Sequence, residues 1–336
     1  MKLPHGKVPI DILKEVVFKN LGFRRDEVVL GPSAGIDGAV IRVGDKSLIV
    51  AMDPITGALE RIGWLAVNVN ANDVATFGVE PAFMLSCILL PENSYRKTVE
   101  TISAQMHKAA AELKIAIVGG HCEVTPGLTN PVVAGCVMGI VDGDNYVTAG
   151  GARSGDKLIL TKSAGIEGTA ILASDKEKLL AREIDTKVLL DAKKFFRQMS
   201  VAKEAILAFK AGGVHAMHDP TEGGIIGGAI EMAEASNLGV EISEKRIRVQ
   251  PETAEICKFF KIDPLQLISS GALLIATEPK RADIIVKTLK EKDVHASIIG
   301  SFSGEPHSRT LVRSDKKTEE LPKYVPDHLW LALSRE

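Results

Sequence analysis

The sequence predicts an α+β protein of two domains, and three observations lead there. Its 336 residues suffice for about two domains at roughly 150 residues each. Strand-like and helix-like runs mix without the strict βαβ alternation of a doubly wound sheet. A turn-rich segment, Thr148-Ala149-Gly150-Gly151-Ala152-Arg153-Ser154-Gly155-Asp156, splits the chain, and the pattern restarts beyond it. The domains are therefore placed at residues 1–148 and 149–336.

In order, apolar periodicity predicts a first helix over about Ile10–Leu21, then β-type runs at Ala39–Val43 and Leu48–Met52. A helical stretch follows from about Glu60 to Phe77, a strand at Phe83–Leu90, and a helix over about Tyr95–Leu113. Strands at Ile115–Val118 and Pro131–Val141 close the first half. The second half reads as strand Lys157–Leu160, a helix near Ile166–Ala173, and longer helices to about Ala211. Strand Val214–Met217, helix Glu222–Ser236, strand Val240–Ile242 and helix Ala254–Phe260 come next. Strand Ala272–Ala276, helix Lys280–Lys292 and strand His295–Ser301 complete the series.

The composition is that of a soluble globular chain, 45% hydrophobic and 25% charged. A net charge of −2 with no block of like charges argues against a general nucleic-acid or anionic-membrane binder. Apolar runs fall far short of the roughly 18 residues of a membrane span, and Met1-Lys2-Leu3-Pro4-His5 lacks a signal-peptide core. Cys87, Cys122, Cys136 and Cys257 are scattered, a pattern of reduced cytoplasmic thiols without a zinc signature.

Chemistry gathers first in three acidic clusters, around Asp37, Asp53 and Asn72-Asp73, with Gly119-Gly120-His121-Cys122-Glu123-Val124-Thr125 beyond them. Carboxylate and amide oxygens suit Mg²⁺, which commonly arrives with nucleotide phosphates. Asn68, Asn70 and Asn72 are poor helix formers in an otherwise apolar helix. Either they cap a helix end or they serve a site. The loop Gly31-Pro32-Ser33-Ala34-Gly35 lets backbone N–H groups approach a phosphate, yet fits neither a Walker A loop nor a dinucleotide fingerprint. His121 and Glu123, two apart on an extended chain, face one side. Glu123 reads as a metal or polar ligand, or as part of a solvated strand-to-loop transition.

In the second half, His218-Asp219-Pro220-Thr221-Glu222-Gly223-Gly224 reads as a helix start with Asp219 at the N-cap, Pro220 at N1 and Glu222 at N3. Gly223 and Gly224 weaken a first turn unless something comes close, and an anion at the helix N-terminus supplies a reason. Thr161-Lys162-Ser163-Ala164-Gly165-Ile166-Glu167-Gly168-Thr169-Ala170 places a small-residue loop before another helix. Lys162 there either neutralises phosphate or is merely solvated. Ser269-Ser270-Gly271 is a turn first and a binding loop second.

The order of these signals resembles the AIR synthase (PurM)-like superfamily, which takes in selenophosphate synthetase, thiamine-monophosphate kinase and HypE, and it looks most like the HypE branch. The matching segments are Asp37–Ile41, Asp53, Asn72-Asp73-Val74-Ala75, Gly119-Gly120-His121, Thr161-Lys162, Gly165–Ala170 and Asp219–Gly224. The resemblance implies a first domain whose mixed sheet joins a second copy's in a barrel-like dimeric core, and a second α/β sandwich-like domain. It implies ATP in a cleft with its phosphates held through Mg²⁺ by acidic residues. On that basis the metal or metal-water ligands are expected at Asp37, Asp53 and Asp73, with Asn72 and Glu123 assisting. Nucleotide contacts are expected at Gly35, Lys162, Gly165, Asp219, Glu222, Gly223 and Gly224.

Two departures stand out. HypE ends in a Cys that takes a carbamoyl group, whereas this sequence ends Leu331-Ala332-Leu333-Ser334-Arg335-Glu336, and its last thiol is Cys257. His121 also stands where relatives often carry an acid, and Ile36-Asp37 has one acid where they commonly show two. The expectation is an ATP-dependent phosphotransferase or ligase-like enzyme, homodimeric and cytoplasmic, acting on a small-molecule or amide-type acceptor. The alternatives are a non-catalytic nucleotide-binding or scaffold paralogue acting in protein complexes such as hydrogenase maturation, or a metal-dependent hydrolase using His121, Glu123 and His218.

Overall fold

Two mixed sheets organise the computed structural model, which describes residues 3, 6, 8–33, 35–56 and 59–335. The first half contains β1 (Val28–Leu30), β2 (Ala39–Val43), β3 (Lys46–Ile55), β4 (Phe83–Leu90), β5 (Ala116–Val124) and β6 (Val132–Asp142). They lie in the order β1-β2-β3-β6-β4-β5, with β4 and β5 parallel and the other pairs antiparallel. Its helices are α1 (Ile10–Ile12), α2 (Ile62–Ala75) and α3 (Arg96–Leu113).

The second half contains β7 (Lys157–Thr161), β8 (Val214–His218), β9 (Gly239–Ser243), β10 (Leu274–Thr277), β11 (Ala296–Ser303), β12 (Arg309–Val312) and β13 (Thr318–Glu320). Their order is β13-β12-β9-β11-β7-β10-β8, with β12 and β9 parallel. Its helices are α4 (Ile166–Asp175), α5 (Glu177–Leu180), α6 (Thr186–Lys193), α7 (Ala202–Ala211), α8 (Gly224–Ala235), α9 (Pro251–Phe260), α10 (Pro279–Lys290) and α11 (His328–Leu333). This is the mixed α+β architecture read from the sequence.

The two sheets are covered differently, and their strands show it. In β3, Ser47, Ile49 and Ala51 are buried while Met52 on the opposite face is 63% exposed, the alternation of a sheet with one open side. Phe83, Leu85 and Ile140 are exposed as well. Every residue of β10 is buried, because the second sheet has core on both faces: one cluster includes residues of α4, α8 and α9, the other residues of α7 and α10.

Helix α2 is buried along almost its whole length and belongs to both halves. Ala66, Val67 and Val74 pack in the first core, whereas Leu65 and Ala75 pack in the two cores of the second. That burial explains the three asparagines, since a helix covered all round must pair each polar group with protein. Asn70 Nδ2 donates to Asp53 O (3.0 Å) and Ala66 O (2.8 Å), and its Oδ1 accepts from Asp53 N at 2.7 Å. Asn72 Nδ2 donates to Met199 O and its Oδ1 accepts from Val201 N, both at 2.8 Å. Asn68 Nδ2 turns back to Trp64 O at 2.9 Å. None of the three caps a helix end; α2 runs on to Ala75.

Three element boundaries differ from expectation for local reasons. The first helix ends at Val17 in a π-helical turn with no buried residue to anchor it further. The Gly119–Thr125 stretch is no loop at its start: β5 continues to Val124 in parallel register with β4, Gly120 opposite Ser86 and His121 opposite Cys87. Helix α8 begins at Gly224 with Gly223 as its N-cap, not at Asp219. The left-handed φ of +81° at Gly223 and +61° at Gly224 breaks the turn that Pro220 was expected to start. The Thr148–Asp156 segment carries a 3₁₀ turn at Ala149–Gly151 and connects β6 to β7. No helix of the described residues is long and apolar enough to cross a membrane.

Candidate active site

Three neighbouring strands of the second sheet deliver their loops to one place. β10 is antiparallel to both β7 and β8, and Leu274 at its start is paired with Leu160 and with His218. The ends of β7 and β8 and the start of β10 therefore share one edge. Their loops are bonded together: Ser269 N donates to Pro220 O (3.1 Å), Gly165 N to Ser269 Oγ (2.7 Å) and Gly168 N to Ile268 O (3.1 Å).

Over this edge the first half brings Asp37. His218, 1% exposed, donates from Nδ1 to Asp37 Oδ2 at 2.6 Å and from Nε2 to Glu231 Oε2 at 2.8 Å. A ring facing a carboxylate at each nitrogen is satisfied only as the doubly protonated imidazolium. Burial works against that charge, but Asp37 and then Glu231 outweigh it and hold the His218 pKa well above 6.5. Asp219, fully buried, adjoins the pair. Among the described residues, Asp37, His218 and Asp219 form the one set of three or more His, Cys, Asp or Glu side chains whose ligand atoms lie within 4.8 Å of one another. The oxygens of Asp37 and Asp219 fit a hard cation such as Mg²⁺. His218, with both nitrogens donating, is a brace rather than a ligand in this state.

Asp53 and Asp73, expected beside Asp37, are not in that set. Asp53 is half-buried near the end of β3, its backbone held by Asn70. Asp73 is buried on α2, where its carbonyl accepts from Thr76 Oγ1 at 2.7 Å. The Asn72 amide is engaged at both ends by the 199–201 backbone, as described above. Glu123 lies on edge strand β5, where its Oε2 meets His121 Nε2 at 3.0 Å and its Oε1 accepts from Thr125 Oγ1 at 2.8 Å. The predicted same-side placement of His121 and Glu123 is thus what the strand delivers.

The expected nucleotide contacts also have local partners. Lys162 is half-buried: its Nζ donates to the carbonyls of Gln198 (2.9 Å), Ser200 (2.6 Å) and Gly271 (2.6 Å) and pairs with Glu204 at 2.5 Å. It is therefore not a solvated lysine. Burial pulls its pKa down, with Glu204 opposing. The Gly223 N–H donates to Asp327 Oδ2 at 2.8 Å, so the anion expected at this helix start is a side chain of the protein itself. A Cβ on Gly224 would stand 2.6 Å from Leu265 O, so backbone packing is what requires glycine there. Gly35 lies against α8, its hypothetical Cβ 3.0 Å from Glu231 O, and Gly165 is the left-handed N-cap of α4.

Three acids were not singled out from the sequence: Glu231, Asp327 and Glu167. Glu231 was hidden in an apolar helix, and Asp327 carries only a short N-cap signal ahead of α11, accepting from Leu329 N at 2.7 Å. Burial pushes the Asp327 carboxyl up to about 6. Glu167, 7% exposed in the first turn of α4, is pushed up to about 7, first by burial, with the Ser270 side chain opposing and the charges of Asp327, Glu222 and Asp53 adding. Its one sequence signal was a lone acid between Gly165-Ile166 and Gly168.

The family description "AIR synthase related protein, N-terminal domain" matches residues 35–141, and its C-terminal-domain counterpart matches residues 153–313. The chain belongs to the AIR synthase related family. A putative hydrogenase expression/formation protein of Methanocaldococcus jannaschii is 28% identical over 317 residues, covering 92% of this chain and 91% of that one. A carbamoyl dehydratase HypE of Rhizobium leguminosarum bv. viciae is 29% identical over 279 residues, covering 80% and 75%. The solved structure of hydrogenase maturation protein HypE in complex with ATP superimposes with a TM-score of 0.73 at 22% identity, covering 98% of each chain. At that identity the likeness shows the fold. In the two halves of the AIR synthase related fold, Asp37 falls in one matched region and His218 and Asp219 in the other.

Proposed function

We propose that this chain is an ATP-dependent enzyme of the AIR synthase/HypE type, transferring the γ-phosphoryl group of Mg·ATP to a small-molecule or amide-type acceptor. The observation that carries the reading is the meeting of Asp37 from one half with His218 and Asp219 from the other. Asp37 and Asp219 would hold the ion, with Asp53 and Asp73 around its water shell. Mg²⁺ there supplies charge neutralisation on the triphosphate. His218 holds the Asp37 carboxylate in position, and the buried loops below it exclude water. A carbamoyl dehydratase among the relatives motivates the amide-type acceptor. The open apolar side of the first sheet supports a homodimer closed sheet to sheet; a cytoplasmic location and domains divided at 148/149 complete the proposal.

Titration calorimetry of Mg·ATP tests the reading, repeated with EDTA and with Asp37→Asn. Binding that both treatments weaken is expected; no binding to the wild type at millimolar nucleotide ends the proposal. Release of ADP across a panel of carboxamides and phosphomonoesters then identifies the acceptor. Light scattering should return twice the mass of the chain.

A second reading, a non-catalytic nucleotide-binding or scaffold paralogue, is favoured by one specific observation. Lys162 and the Gly223 N–H, both expected on phosphate, are engaged by the protein itself. Tight Mg·ATP binding with no ADP released on any acceptor would select it.

A further inference from the structure

Glu167 is a buried acid that nothing in the phosphate or metal assignment uses. It is the second residue of α4, two after the left-handed N-cap Gly165, at the edge where the β7, β8 and β10 loops are bonded together. It is 7% exposed, and its Oε2 has no hydrogen-bond partner. A buried carboxylate oxygen without a partner is costly and rare, and it is retained where chemistry needs it. The groups whose charges or hydrogen bonds act on it come from four other elements: Asp53 on β3, Glu222 ahead of α8, Asp327 ahead of α11, and the Ser270 hydroxyl ahead of β10. Three of the four are carboxylates, and their charges raise the Glu167 pKa.

We infer that Glu167 is the proton acceptor for the group that attacks the γ-phosphate. The inference rests on the phosphoryl-transfer reading above and assigns its acid–base residue. The acceptor oxygen forms a bond to the γ-phosphorus, and the bond from that phosphorus to the β–γ bridging oxygen breaks. ADP leaves with the bonding electron pair, and the acceptor's proton passes to Glu167 Oε2. Burial, against the opposing Ser270 hydroxyl, and then the charges of Asp327, Glu222 and Asp53 make the carboxylate a stronger base than an exposed glutamate. A base that titrates near neutral pH is matched to this task.

Water in the acceptor position serves as the probe. Single-turnover release of phosphate from γ-labelled ATP should fall about 100-fold in Glu167→Gln, with the Mg·ATP dissociation constant changed less than about twofold. Glu167→Asp should recover part of the rate. Independently of turnover, carbon-13 NMR of glutamate-labelled protein should show one carboxyl titrating near 7 that vanishes in Glu167→Gln. Hydrolysis as fast in Glu167→Gln as in the wild type overturns the assignment, as does the absence of that carboxyl signal. A wild type that fails to bind Mg·ATP instead removes the phosphoryl-transfer reading, a separate result read in the calorimeter.

Discussion

Replacing Asn72 by Asp separates two roles by the sign of the outcome. As a metal ligand, an added carboxylate at 72 should strengthen Mg²⁺ binding. As the clamp seen here, it should weaken the fold. The Asn72 Nδ2 donor to Met199 O disappears, and that buried carbonyl then faces an oxygen instead. An unsatisfied buried group costs about 1–3 kcal/mol, and a partly compensated buried charge adds several kcal/mol unless it takes up a proton. A net loss of about 3 kcal/mol is therefore a low estimate. With an unfolding entropy near 2.1 cal/mol/K per residue, the whole chain has roughly 0.7 kcal/mol/K, so the melting temperature should fall by about 4 °C. Differential scanning calorimetry with and without Mg²⁺ reads this directly. An unchanged melting point, or a gain with Mg²⁺ larger than the wild type's, would refute the clamp.

Three further outcomes follow from the geometry. The folded-state pKa of Glu167 is raised from 4.5 to about 7, so the native state keeps a proton that the unfolded chain gives up, and stability falls between those pH values by about 3 kcal/mol. Glu167→Gln should therefore melt higher than the wild type at pH 8 and alike at pH 4, and an equal difference at both would count against it. Lys162→Met leaves Glu204 buried without its cation and should cost about 3–5 kcal/mol, part of it recovered by adding Glu204→Leu, which removes the stranded charge but not the loss of the three carbonyl partners; denaturant titrations that show no recovery would break the assigned pairing. Burial pushes the Cys257 thiol up to about 12, so iodoacetamide at pH 8 should modify exposed Cys122 and spare Cys257 in the folded protein, as peptide mass mapping would show.

What the sequence made legible was local. The run Ala272–Ala276 is apolar from end to end, and such a strand needs cover on both faces, which α7 and α10 on one side and α4 and α8 on the other provide. Asp37 and Asp219 were both singled out as site residues, and these two meet at His218, whereas Asp53 and Asp73 lie outside that cluster. What stayed hidden was long-range. Asp37 and His218 are 181 residues apart and meet only because the two halves close on each other. Asn72 read as an assisting ligand because nothing local told of the backbone at Met199 and Val201 waiting to pair with it. Gly223-Gly224 read as space for an anion, when Asp327 and the carbonyls of Leu265 and Leu267 take that space. Glu167 stood inside the Gly165–Ala170 motif without being singled out, since its character comes from burial and from three acids that arrive from elsewhere.

The shared helix α2 bears on how this molecule can be dissected. Cut at the 148/149 junction, the amino-terminal piece would carry a rod of Leu65, Asn72 and Ala75 stripped of its cover, and the remaining piece would lose the amide that ties down Met199 and Val201. The halves are thus poor candidates for separate expression, because each would lose a partner that only the other supplies.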